Sequence, residues 1–400
     1  MPETSQTITL RPAVLQWARK RANFSHSQLA NKLKLKPEAI ETWERSGEIT
    51  FSRVNALAKH TYTPLGYLYL SEPPDDSLPI KDFRTRSDSP PQRPSPDLLE
   101  TVYQMMSRQE WLKDEILYYG STSLDFVGAF NLNSPPQEVV AVMNEVLQLK
   151  GGWAKTESNW TDALRTLRDC IDAANVLVFF NGIVGNNTRR KLDPEEFQGF
   201  ALVDELAPLI FVNNADYKTA QIFTLAHELA HIFVGESGLS KFEDLSPTGC
   251  DHHATEEACN RIAAEFLVPT TELCKYWKAC HHSSDPSKDN DTFKDVAINF
   301  KVSTVVAARR ALDAKIIGRE RFFNYYNQHK HKTWTGRTLN NARTGGNFWT
   351  NQYWRLGPRF ANAVNHSLAE GRTTYTEAFK LTGLKAESFF KMPQKMGLHL

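Results

Sequence analysis

Residues 221–234, QIFTLAHELAHIFV, are apolar almost throughout, yet they carry three ionisable side chains, His227, Glu228 and His231. A run of this length and character reads as a mostly buried helix, with Asn213, Asn214 or Asp216 available to cap its start. Residues four apart on a helix share one face about a turn from each other. The two imidazoles therefore project side by side and can bind one zinc ion. Glu228 is badly placed to join them on an ion but well placed to hold and deprotonate a water beside it. Polar groups buried without a task or a partner are costly, so a pair of satisfied core histidines is the bland alternative.

Catalytic zinc takes three protein ligands and keeps a fourth position open. Downstream, TEEACNRIAAEFLVP (255–269) reads as a second amphipathic helix that Pro269 can end. Glu256 and Asn260 lie four apart on it, and Ala263 and Ala264 are small enough to let it pack close to the first helix. Glu257 is adjacent and equally acidic. The HELAH helix followed by Glu256, Cys259, Asn260, Ala263, Ala264, Glu265, Leu267 and Pro269 resembles the ImmA/IrrE family of metallopeptidases, over residues 83–270. The resemblance implies a zincin-like (minimal gluzincin) domain, of the same broad group as thermolysin-like enzymes, with Zn2+ on His227, His231 and Glu256. Glu257 is the alternative third ligand, and Asn260 is placed to hydrogen-bond a ligand. It also implies a narrow protein substrate, a repressor or antitoxin, cleaved under stress, phage or DNA-damage signals. Glu265 receives no role. A rival cluster, Cys250, His252, His253, Cys274, Cys280, His281 and His282, has ligand types enough for a structural zinc but no paired C-x-x-C spacing.

Ahead of this region, residues 8–70 place apolar side chains at helical spacing in short segments: Val14, Leu15, Trp17, Ala18; Leu29, Ala30, Leu33; Ile40, Trp43; Val54, Leu57, Ala58. Ser25 or Ser27 can cap the second helix, Pro37 suits the first turn of the third and Gly47 ends it. The segment SHSQLANKLKLKPEAIETWERSG resembles the XRE-type helix-turn-helix. By that resemblance Lys36, Glu38, Ala39, Glu41 and Thr42 would face bases, while Arg19, Lys20, Arg21, Lys32 and Lys34 suit phosphate by their charge. A helical bundle kept for protein contacts is the alternative.

Charge is segregated along the chain. The net charge is +1, but residues 11–60 carry +6, residues 301–400 carry +12 and residues 61–300 carry −16, a pattern in which the ends suit an anion such as nucleic acid. At roughly 100–200 residues per domain, 400 residues make two to four units. The expected order is the helix-turn-helix at 8–70, a Pro-rich linker at 71–97, the metallopeptidase domain at 98–285, a small helical module at 286–318 and a basic aromatic region at 319–400. Helices are expected at 98–119, 137–149 and 160–174. Strands are expected at 176–180, 199–204 and 208–213, one of the last two exposed to take a substrate strand. The fold class is α+β, mostly helical. In the last region Phe322, Phe323, Tyr325, Tyr326, Trp334, Phe348, Trp349, Tyr353 and Trp354 interleave with Arg321, Lys330, Lys332, Arg337, Arg343 and Arg355. That composition suits single-stranded nucleic acid or, equally, a satellite core. No run is long enough to cross a membrane, no signal peptide is visible, and five thinly spread cysteines fit a reducing compartment, the cytoplasm. A DNA-binding regulator or antitoxin-like protein with a structural or sensory metal is the reading of a different class.

Overall fold

Short helices closed by left-handed residues build the N-terminal part of the chain. The structure, a computed structural model, describes residues 6–83, 93–240, 254–280, 288–335 and 347–398. It divides into two compact units, Met1–Pro79 with Pro91–Tyr103, and Ile80–Pro90 with Gln104–Leu400. The first contains β1 (Thr7–Thr9), α1 (Pro12–Arg21), α2 (His26–Leu33), α3 (Pro37–Ser46), β2 (Glu48–Thr50) and α4 (Phe51–Thr61). Ser25 starts α2 through a capping box with Gln28, and Lys34 ends it in the left-handed region. Pro37 opens α3, and Gly47 closes it at φ +76°, where a Cβ would strike the Leu10 carbonyl. Val14, Leu15, Trp17, Leu29, Leu33, Ile40, Val54 and Leu57 meet in one core, with Trp43 half-buried against it. The β1–β2 ribbon was not visible in the sequence pattern. Arg19 and Arg21 are not held out for phosphate. Arg19 is buried and pairs with Glu44 at 2.6 Å, and Arg21 reaches Asp76 and the Tyr62 carbonyl, because both guanidinium forks find acceptors inside the unit.

Along the rest of the chain come β3 (Lys81–Asp82), α5 (Pro96–Tyr118), α6 (Pro136–Val146), α7 (Trp160–Ala173), β4 (Leu177–Asn181), β5 (Ile183–Val184), β6 (Asn187–Lys191), β7 (Gly199–Leu202) and β8 (Leu209–Asn213). Then follow α8 (Lys218–Val234), β9 (Gly238–Ser240), α9 (Ala254–Leu267), α10 (Thr270–Ala279), α11 (Asp289–Phe300), α12 (Thr304–Asp313) and α13 (Arg319–Thr335). The last four helices are α14 (Phe348–Leu356), α15 (Pro358–Ala369), α16 (Tyr375–Thr382) and α17 (Ala386–Met396). Five strands form a mixed sheet in the order β3-β9-β7-β8-β4, with β4 parallel to β8, β7 antiparallel to both β8 and β9, and β3 parallel to β9.

This sheet is apolar on both faces because both are covered. Val178, Phe180, Ala201, Ile210 and Val212 face the core that holds α8 and α9. From the alternate positions, Phe211 stacks with both Phe200 and Phe197, and Phe179 meets Phe360 of α15 edge-on. Strands β7 and β8 each have neighbours on both sides, so neither is the exposed strand expected of 199–204 or 208–213. Helix α8 starts at Lys218 with Tyr217 at its N-cap and no side-chain cap. The expected cap Asp216 instead accepts from Tyr217 N at 2.8 Å.

The described part of the expected helical module, residues 288–318, contributes to this same core. Phe293, Val296, Phe300 and Val306 join the cluster that contains Leu225, Leu229 and Ile262. Ser303 caps α12 by accepting from Val306 N. Phe322, Tyr325 and Tyr326 are buried there too, Trp354 meets Phe180 edge-on, and Tyr353 lies 4.1 Å from the wholly buried Arg168 guanidinium. These rings are used in packing, as a satellite core requires, and are not free as stacking platforms for bases. Arg337 and Arg343 lie outside the described residues, as do the side chains of Lys330, Lys332 and Trp334. Among the described residues, no helix is long and apolar enough to cross a membrane.

Candidate metal centre

Helix α8 ends at Gly235, whose φ of +83° lets the chain turn back at once into β9. That reversal brings the Glu236 carbonyl to 3.0 Å from His231 Nδ1. A carbonyl oxygen can only accept, so Nδ1 carries the proton and Nε2 presents a lone pair. On the first imidazole, Asn260 Oδ1 lies 3.0 Å from His227 Nδ1, and the same tautomer follows. The two Nε2 atoms then face each other at 3.0 Å. Glu256 approaches both, its Oε1 3.1 Å from His231 Nε2 and its Oε2 3.3 Å from His227 Nε2.

Three electron-rich groups pointed at one another repel unless a cation lies among them. A tetrahedral zinc with bonds of about 2.0–2.1 Å sets its donors roughly 3.3 Å apart, and the three separations here are 3.0, 3.1 and 3.3 Å. The donor set of two imidazoles and one carboxylate fits that ion. Among the described residues, His227, His231 and Glu256 form the one group of His, Cys, Asp or Glu side chains close enough to share a metal.

Glu228 lies beside them with a different character. It is wholly buried, and neither of its oxygens has a hydrogen-bond partner among the described residues. Burial pushes its carboxyl up to about 8, and the charge of Glu256 adds to that shift. Space for this side chain comes from β7. A Cβ at Gly199 would stand 2.9 Å from Glu228 Oε1 and 2.6 Å from Thr224 Cγ2. Opposite Gly199, at the end of β9, Ser240 Oγ is 3.4 Å from His227 Nε2 and 3.5 Å from Glu256 Oε1. Phe83 stacks on the His231 ring, with centroids 5.7 Å apart.

The structure thus brings His227, Glu228, His231, Glu256 and Asn260 together and leaves Glu257 out. Glu257 is exposed and, with Asn260 and Arg261, lines a separate cavity of about 360 Å³, because neighbouring helix positions diverge by about 100°. Of the rival cluster, Cys250, His252, His253, His281 and His282 lie outside the described residues, and Cys274 and Cys280 are free thiols. Lys32, Lys34, Lys36, Glu38 and Thr42 are all exposed on α2, α3 and the turn between them. Gly199, Ser240 and Phe83 were missed in the sequence. Only the glycine left a signal, since a lone glycine inside the strand GFALVD marks a close approach.

Residues 171–312 match the family model described as IrrE N-terminal-like domain (Peptidase_M78). That span contains the whole cluster, and the match suggests a metallopeptidase of the ImmA/IrrE type. Residues 356–394 match a domain of unknown function (DUF8813). No curated protein matches the chain.

Proposed function

We propose that this chain is a cytoplasmic zinc-dependent endopeptidase with a DNA-binding N-terminal unit, which cleaves one specific protein, a repressor or antitoxin, in response to stress, phage or DNA damage. The observation that carries the reading is a buried carboxylate without partners, Glu228, set against three mutually facing donors. His227, His231 and Glu256 would hold the ion. Zinc supplies Lewis acidity there, polarising a carbonyl and making water more acidic. Glu228 takes the proton from that water on a carboxylate oxygen and passes it to the leaving amide nitrogen. Asn260 and the Glu236 carbonyl keep both imidazoles in the tautomer that presents Nε2. The burial of the cluster supports a narrow substrate over general digestion. The exposed Lys32, Lys34 and Lys36 on a stretch of charge +6 support DNA binding by the first unit.

The same burial favours a second reading, a DNA-binding regulator with a structural metal. Against it, a structural site gains nothing from an unpartnered carboxylate. The test incubates the zinc-loaded chain and its Glu228→Gln variant with the repressor or antitoxin encoded beside it. Cleavage by the wild type alone, with equal DNA binding by both, supports the peptidase. DNA binding with no cleavage by either supports the regulator.

A further inference from the structure

An extended peptide binds most readily to a sheet edge, where backbone N–H and C=O groups lack neighbours. Near the metal cluster that edge is the outer side of β9, since its inner side pairs with β7 and its last residue is Ser240. The outer side is occupied by the chain's own segment. Lys81 and Asp82 pair with Gly238 and Leu239, and Phe83 N donates to the Leu239 carbonyl at 3.1 Å. The Phe83 ring lies nearly parallel to the His231 ring, at 20°. Gly238 makes the bed for it, for a Cβ there would come within 2.0 Å of the Phe83 ring. Lys81 pairs with Glu236, the residue whose carbonyl orients His231.

We propose that Lys81–Phe83 is an autoinhibitory strand standing in the place of the substrate, and that the substrate is an extended protein segment whose aromatic side chain takes the slot of Phe83 between Gly238 and His231. What lies against His231 is an aromatic ring, a group with no bond to hydrolyse. The strand is weakly held. It contributes two paired residues, and the side chain of Lys81 is 63% exposed, so its ion pair adds little. A competing peptide can therefore displace it. Inhibition rests on the endopeptidase reading, but occupancy of the β9 edge does not.

The experiment uses the full chain carrying Glu228→Gln, so that no peptide is consumed, and a fluorescent peptide of the sequence Leu78–Phe83 as probe. Adding Phe83→Ala should tighten peptide binding about tenfold by emptying the slot. Adding Gly238→Val should abolish binding, and the peptide with alanine in place of its phenylalanine should bind at least about tenfold more weakly. Saturating peptide should also speed hydrogen exchange at the Phe83 amide. Equal affinity with and without Phe83→Ala, or an unchanged Phe83 amide, overturns the proposal. Tighter peptide binding in a chain that hydrolyses nothing when Glu228 is intact keeps the strand and removes the endopeptidase. Unchanged binding beside Glu228-dependent hydrolysis removes the strand alone.

Discussion

Glu228 on α8 and Glu265 on α9 are both shut off from solvent, at 0% and 5% exposure, yet one is starved of partners and the other saturated. Glu265 meets the buried Arg310 guanidinium at 2.5 Å, and Thr270 gives it a backbone N–H at 3.0 Å and a hydroxyl at 2.7 Å. It thereby caps the start of α10 and ties α9 to α12, whose Arg310 also donates to the Val268 carbonyl. Around Glu228 the walls are β7, where Gly199 has no side chain to offer, and the metal-facing donors. Burial alone is thus no sign of function. A carboxylate whose two oxygens are both paired holds a fold together, whereas one with neither paired is being kept for something that arrives later.

The largest effects should come from deleting each carboxylate, and in opposite observables. Glu228→Gln should lower the rate of peptide cleavage by about 10²–10⁴-fold, the usual worth of a positioned proton carrier. It should leave the thermal midpoint near neutral pH about unchanged, because burial already keeps this carboxyl protonated there and an amide is likewise uncharged. Glu265→Ala should cost about 3–5 kcal/mol in urea unfolding, since it takes from Arg310 its close buried counter-charge and leaves only the longer contact with Asp313 at 3.5 Å. Adding Arg310→Met should recover most of that loss. If Glu228→Gln unfolds the protein, or Glu265→Ala leaves stability alone, the contrast between them is gone.

Much of this was legible in the sequence, and unevenly so. The helix at 221–234 and the order of donors on it follow from periodicity, because four-residue spacing fixes a shared face whatever surrounds the helix. Short apolar strands were found for the same local reason, but not their order. That β7 and β8 lie inside the sheet depends on pairings between segments well separated in sequence, Leu177 with Leu209 and Gly199 with Ser240, and that β3 lies outside depends on the still more distant pairing of Lys81 with Gly238. The role of Glu265 was hidden because its partner Arg310 is 45 positions away. The aromatic residues of 319–360 left two readings open in the sequence, since rings above cations read alike whether they meet bases or, as Tyr353 does, a buried arginine. Glu256 was preferred to Glu257 only through the family resemblance, since helix spacing alone does not say which of two neighbouring carboxylates turns inward.

A smaller effect sharpens the contrast from the side of the partners. Asn260 bonds a histidine as Thr270 bonds Glu265, but its loss should be read in the metal and not in the fold. Asn260→Ala frees the His227 ring to change tautomer and orientation, so zinc affinity measured by competition with a chromophoric chelator should fall about 10–100-fold. Asn260→Asp, which still accepts from Nδ1, should retain most of the affinity. An affinity unchanged in Asn260→Ala would mean that packing alone holds the ring.

Asp172 on α7 falls between the two glutamates, and its titration offers the smallest and most graded test. It is half-buried, accepts from Arg359 N at 3.3 Å and feels the charges of Arg168 and Arg359, but burial outweighs them and raises its pKa from 3.8 to about 6. The native state then holds a proton that the unfolded chain has already lost across that interval. Its contribution to stability is present in full below about pH 4 and disappears as pH rises through about 6. Asp172→Asn cannot titrate and keeps an acceptor for Arg359 N. Its stability relative to the wild type should therefore rise by about 1–2 kcal/mol between pH 4 and pH 7.5, a value discounted from the full shift because the carboxyl is only half-buried. Paired urea midpoints at the two pH values measure it. A difference that is flat with pH would mean that Arg168 and Arg359 fully compensate the burial of Asp172.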